Sequence, residues 1–406
     1  MSRGGVQGFQ KDRLSQILAA RRLTQVQLAS MVDVSPATIS KWRAGTQAPE
    51  RDALERLAGV VNVTPEWFTR AFTRAPGAKL SLPLFRSNAS VHVAARAMLE
   101  ARLEWAQDVA AALMEYVDYP DVNLPSRDYT EPEQITNEDI EKAACECRDL
   151  WRLGRSAIQD LALAVEGAGV IVVREETGIA QIEGLSAWSE ALGRPLILLS
   201  ADKNNGYRSR FDLAHEVGHL ILHRHIQRTT DNARHKMMEA QAHRFAGAFL
   251  LPAETFASEV RVPPTLDDLL LLKRRWGVSA AAIIMRLKAL EMLNEDGALM
   301  LFKRRSARWG AKSEPGDEDR RPEQPRLLRR TIDLLVEEKV MPLDAIPRHI
   351  GLAAGDVEAL AGLPEGYFQG KTNVVEFARL KATQKPVDDQ PAQGNKVVPF
   401  RPVFKS

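Results

Sequence analysis

The chain has 406 residues, with 55 Lys/Arg against 53 Asp/Glu and a formal net charge of +2, long enough for two or three domains that each bury a core. No run of 18 apolar residues occurs and the start, MSRGGVQGFQKD, has no apolar h-region, so no membrane partner is expected and the chain reads as cytoplasmic. Its two cysteines, Cys145 and Cys147, stand two apart on a probable helix and point to different sides, which excludes a disulfide or a zinc pair between them.

Residues 1–75 carry eleven Lys/Arg against six Asp/Glu, so the basic charge is concentrated at one end. Thr24 to Val32 reads as a short helix with Thr24 as N-cap, and Asp33-Val34 as a turn. Ser35 to Arg43 reads as the next helix, with Ser35 at N-cap, Pro36 at N1 and Gly45 beyond its end. Two short helices joined by a tight turn make a helix-turn-helix. Leu14, Ile17, Leu18, Leu28, Ala29, Val34, Ile39, Trp42, Leu54 and Leu57 have the spacing of a small core. Gln25, Ala37, Thr38, Ser40, Lys41 and Arg43 remain outside, where they can read base edges and grip phosphates. The segment resembles the XRE (Cro/CI-type) helix-turn-helix family, with Arg43 where that family often has Glu. The resemblance implies sequence-specific DNA binding, and symmetry then favours a homodimer on a palindromic site.

Residues 90–117 read as a long amphipathic helix, packed in a core by default or paired with its copy in a dimer. Residues 119–137, with Pro120, Pro125 and Pro132, read as a loop before a charged helix. The chemistry is densest in Arg210-Phe-Asp-Leu-Ala-His215-Glu-Val-Gly-His219-Leu-Ile-Leu-His223. On a helix His215 and His219 lie about 40° apart on one face, so both imidazoles can reach one metal ion. Glu216 sits where a hydrolytic centre needs its general base, which points to zinc-dependent peptide hydrolysis. The apolar flanks bury the helix, and a buried helix has little reason to carry unpaired His and Glu.

A catalytic zinc wants a third protein ligand and one open position. His225 has the metzincin spacing, but position 222 is Leu rather than the Gly that lets that helix end and the third His turn back. The stronger candidate is Glu239, in the amphipathic stretch Glu239 to Leu251 closed by Pro252, which puts His243 on the same face as Glu239. A closed structural zinc is disfavoured, because such sites usually use Cys. Tyr207, His223, His225 and His243 are the candidates to stabilise an oxyanion.

RFDLAHEVGHLILH followed by EAQAHRFAGAFLLP resembles the ImmA/IrrE family of zincin-like metallopeptidases of gluzincin type, which cleave repressor proteins. The resemblance runs from about 80 to 300 and takes in Leu84-Phe-Arg-Ser87, the helix from Ala143 to Leu153, the strands Gly169–Val173 and Leu196–Ser200, and Leu185-Ser-Ala-Trp188. It implies a Zn2+ cofactor held by His215, His219 and Glu239, with Glu216 as base. Position 243, often Asn in that family, is His here, which leaves open what the first ligand bonds behind the metal.

Leu266–Trp276 and Ala280–Leu293 read as a helix pair finishing this domain, with a weaker reading as a second DNA reader. Residues 310–325 read as a charged Pro/Gly linker, 326–380 as a small helical module whose Ile350 to Leu360 has helix-turn-helix spacing, and 381–406 as a disordered tail. The fold class is thus multidomain and mainly α with a small sheet: an all-α helix-turn-helix head at 1–75, an α+β gluzincin-like domain at 80–300, and a helical C-terminal module. The leading reading is a DNA-binding regulator that cuts a repressor protein or itself, in stress response, mobile-element or toxin–antitoxin control. The alternative is a repressor or antitoxin whose zincin domain is a non-catalytic sensor or scaffold.

Overall fold

Helix capping sets the head. In a computed structural model that describes residues 5–71, 90–178, 183–227, 231–310 and 312–369, α1 (Lys11–Ala20), α2 (Gln25–Val32), α3 (Pro36–Ala44) and α4 (Arg51–Val61) follow one another closely. Thr24 and Gln27 form a reciprocal capping box at α2, and Ser35 caps α3 with Pro36 in its first turn. Leu14, Ile17, Leu28, Ile39, Trp42 and Leu57 close the core, to which Trp67 and Phe68 add two large buried rings.

The head does not pack alone. Helix α5 (Ser90–Leu113) buries Leu103, Trp105, Ala106, Val109 and Ala110 against α1, a strand, and two helices of the C-terminal module. Its apolar stripe is therefore covered within the chain, which removes the dimer-helix reading of residues 90–117. Arg13 on α1 pairs with Asp108 on α5, both buried.

Three strands follow α6 (Asn137–Leu150) and α7 (Leu161–Gly167): β1 (Ile171–Glu175), β2 (Gly184–Ser189) and β3 (Arg194–Ser200). The order is β1-β3-β2, with β1 parallel and β2 antiparallel to β3. Side-chain alternation sorts the strands between two cores. Ile171, Val173, Leu185, Ala187, Leu196 and Leu198 join the head and α5, while Val172, Ile197 and Leu199 face the helices that follow. Those are α8 (Gly206–Leu222), α9 (Asn232–Leu250), α10 (Ala253–Ser258), α11 (Leu266–Trp276), α12 (Ala280–Ala289) and α13 (Glu295–Trp309), and the C-terminal module is α14 (Leu327–Glu337), α15 (Ala345–Ile350) and α16 (Ala354–Ala361). The described residues are thus mainly helical with one small sheet, the class read from the sequence.

Several readings need correction. Helix α6 ends at Leu150 rather than Leu153, because Arg152 takes a left-handed backbone (φ 54°). Helix α9 starts seven residues before Glu239, capped by Asp231. Helix α12 finishes the domain core, with Ala280, Ala282, Ile283, Ile284, Arg286 and Leu287 buried. The segment 310–325 is a packed strap rather than a free linker. Glu314, 4% exposed, accepts from the Ala280 and Ala281 amides at 2.8 and 3.1 Å and from Arg305 at 3.0 Å, and Glu323 accepts from the first amides of α7 at 2.8 and 3.0 Å. Charged Pro/Gly composition resembles disorder, but these carboxylates satisfy helix N-termini, where orphan N–H groups favour an anion.

The C-terminal module closes on the head. Val63 pairs with Leu352 in an isolated antiparallel bridge, and Arg70 donates to the carbonyls of Ile350 and His349, each at 2.7 Å. Helix α16, second in the helix-turn-helix-like spacing, buries Val357, Leu360 and Ala361 and packs on β1. No described helix is long and apolar enough to cross a membrane. The tail 381–406 and Leu84–Ser87 lie outside the described residues.

Candidate metal centre

Helices α8 and α9 cross closely, and Gly218 sets the approach. A Cβ there would meet Phe245 Cδ1 at 3.1 Å, so the glycine of HEVGH lets the α9 backbone come near enough to deliver Glu239. His215 Nε2 lies 3.0 Å from His219 Nε2 and 3.4 Å from Glu239 Oε2, and His219 Nε2 lies 3.5 Å from Glu239 Oε1. Donors about 2.0–2.1 Å from a tetrahedral ion stand roughly 3.3 Å apart, so these three have the spacing of one coordination face. His215, Glu239 and His243 form a second overlapping group with donor atoms within 4.8 Å of one another.

A relay sets the protonation of His219. The Gln241 amide nitrogen donates to the Pro132 carbonyl at 2.7 Å, which turns its oxygen to accept from His223 Nε2 at 3.0 Å. Burial first, then His219, pushes the His223 pKa down to about 3, so this ring is neutral and its Nδ1 accepts from His219 Nδ1–H at 2.9 Å. The Nε2 of His219 is then a bare lone pair facing His215 and Glu239. Converging lone pairs are favourable only around a cation. Burial opposes ionisation of Glu239, yet the facing imidazoles of His215 and His219 hold its carboxyl well below the usual range. For His215, burial is outweighed by Glu239 and Glu216, and its pKa rises.

Glu216 is 5% exposed and points to the sheet. Alternation on β2 sends Leu185 and Ala187 to one core and turns Ser186 and Trp188 to α8, where Ser186 Oγ donates to Glu216 Oε2 at 2.6 Å and Trp188 Nε1 to the Leu220 carbonyl at 3.3 Å. A Cβ on Gly184 would lie 3.0 Å from Glu216 Oε1 and 3.1 Å from its Cγ. Sequence reading missed Ser186 and Gly184 as site residues; the signal was Gly184-Leu-Ser-Ala-Trp188 running beside the HExxH helix. Gly184→Ala should leave folding intact and lower any hydrolysis by about 10–100-fold by displacing the Glu216 carboxylate; unchanged turnover with an unchanged melting temperature would remove this role for Gly184.

The oxyanion candidates separate by position. Tyr207 is buried two helical turns before His215, under the Lys273 ammonium at 4.5 Å. His223 is committed to the relay, and His225 is exposed beyond the end of α8. His243 stands at the mouth, exposed, with its ring 4.4 Å from that of His215.

At the head, Ala37, Ser40, Lys41 and Arg43 are exposed on α3. Thr38 is half-buried with its hydroxyl 2.9 Å from Ser35 Oγ, and Gln25 is half-buried at the start of α2. An outward face of this kind suits DNA.

A family model described as Helix-turn-helix matches residues 14–68, and a peptidase family model described as IrrE N-terminal-like domain matches residues 165–288. The chain therefore fuses an XRE-type helix-turn-helix segment to an ImmA/IrrE-type segment. No curated protein matches the chain.

Proposed function

We propose that this protein is a DNA-binding regulator whose zinc peptidase segment cuts a specific protein, a repressor or its own head. The observation that carries the reading is the three-donor face of His215, His219 and Glu239 beside a buried Glu216 held by Ser186. Zinc bound by those three residues would polarise the scissile carbonyl and acidify a water. Glu216 accepts the proton of the attacking water and passes it to the leaving amine. Ser186 holds one carboxylate oxygen of Glu216, which leaves the other for the proton. The His223–Gln241 relay keeps His219 in the ligating tautomer. A reader fused to a peptidase places the cut near the operator, which suits stress response, mobile-element or toxin–antitoxin control in the cytoplasm, with the chain acting as a homodimer.

The test is incubation of the zinc-loaded full chain with the repressor encoded beside its gene, with and without operator DNA, followed by intact-mass analysis. A discrete cut that disappears with chelator is the expected result. Operator binding without any cut would favour the non-catalytic regulator. On the DNA side, Lys41→Ala and Arg43→Ala should each weaken operator binding, and a side chain that neutralises one phosphate should, when removed, reduce the salt slope by about 1; unchanged affinity and slope in both would move the interface off α3.

A further inference from the structure

We infer that His243 is a fourth protein donor, standing at the open coordination position on the solvent side, so that the centre rests closed and opens only when His243 withdraws. The inference rests on the zinc reading above and concerns regulation of that site.

Four observations carry it. A ring nitrogen of His243 lies within 4.8 Å of a donor atom on each of His215 and Glu239. Donors of one tetrahedral zinc ion stand roughly 3.3 Å apart, so a side-chain shift of at most about 1.5 Å brings it into range. Second, His243 Nδ1 is 2.7 Å from the Glu239 carbonyl. A carbonyl only accepts, so Nδ1 carries the proton and Nε2 presents the lone pair. Third, the buried Nδ1 of His215 has no hydrogen-bond partner, so His243 does not serve as the acceptor behind that ligand. Its ring meets His215 edge to face instead, at 71°. Fourth, the other donors are buried or half-buried while His243 is exposed. It therefore occupies the side from which a peptide reaches the ion.

The consequence is a His3Glu centre in place of His2Glu plus water. Four protein donors saturate a tetrahedral ion, so a substrate carbonyl or an attacking water gains access by displacing the imidazole. His243 is the donor able to leave, being on the exposed face and held by one hydrogen bond to its own helix.

The test uses the full chain loaded with Co2+ or Zn2+, comparing wild type with His243→Ala and His243→Asn, and with Glu239→Ala as a control that loses the metal. Chelator competition should give zinc affinity at least about tenfold weaker in both His243 variants. The wild-type Co2+ spectrum should be insensitive to added azide, whereas the variants should respond, and free imidazole should return His243→Ala towards the wild-type spectrum. Equal zinc affinity and superimposable spectra in wild type and variants would overturn the inference, including the case in which the variants only lose turnover, which would make His243 a proton-transfer or oxyanion group. Wild type that binds neither metal would instead sink the zinc reading itself.

Discussion

Replacing Glu216 with Gln should abolish cleavage, by about a thousandfold or more, while leaving the fold and the metal content as they are. General-base removal costs about 10²–10⁴-fold where proton transfer limits the step. Glu216 is not among the three donors at 3.0–3.5 Å from one another, so the ion should stay. The amide oxygen of Gln can still accept from Ser186, now 2.6 Å from the carboxylate, so the side chain keeps its place and only the basicity is lost. Time-resolved intact mass of the protein substrate, with zinc stoichiometry on the same samples, reads both quantities. Wild-type cleavage by the variant would dismiss Glu216 as the base, and loss of zinc would make it a ligand.

The second large effect is expected far from the centre. Asp356 on α16 accepts from Arg21, the residue after α1, at 2.8 and 2.5 Å and from Arg102 on α5 at 2.7 Å. Arg102 in turn grips Glu175, the last residue of β1, at 2.8 and 2.5 Å. Both guanidinium groups lie over the ring of Trp105, at 5.0 and 4.9 Å. Head, C-terminal module, long helix and sheet thus meet in one buried network, in which the carboxylates hold the guanidinium of Arg102 well above its ordinary pKa despite burial. Asp356→Ala takes the carboxylate from Arg21, which keeps the Val61 carbonyl, and leaves Arg102 paired with Glu175. Hydrogen bonds to charged groups are worth about 1.5–3 kcal/mol, which at the entropy of unfolding of a chain this size is a few degrees of melting temperature. Hydrogen exchange should quicken in α1 and α16 before α8. A loss below about 1 kcal/mol, or protection lost first in α8, would show that the head is held by its apolar packing alone.

Legibility followed the range of the interactions. Capping residues announced α2 and α3 to within a residue, because a cap acts on amides two or three positions away. Strand β2 escaped, since GLSAWS has a Gly, two Ser and an Ala among its six residues and holds its place only by pairing with β3. The strap at 310–325 escaped for a similar reason: Glu314 and Glu323 are ordinary charged residues until the ends of α12 and α7 stand in front of them.

Local pattern by itself determined the helix-turn-helix, the HExxH helix, and the placing of Glu216 as candidate base and Glu239 as third candidate donor, all set by spacing along single helices. Tertiary structure alone decided the partners: Ser186 on Glu216, Gln241 behind His223, His243 at the mouth rather than behind His215, and the head joined to the C-terminal module through Asp356. Each of these depends on groups distant in sequence that meet only once the cores on the two faces of the sheet have closed, and hydrogen bonds between such groups leave no periodicity in the chain that makes them.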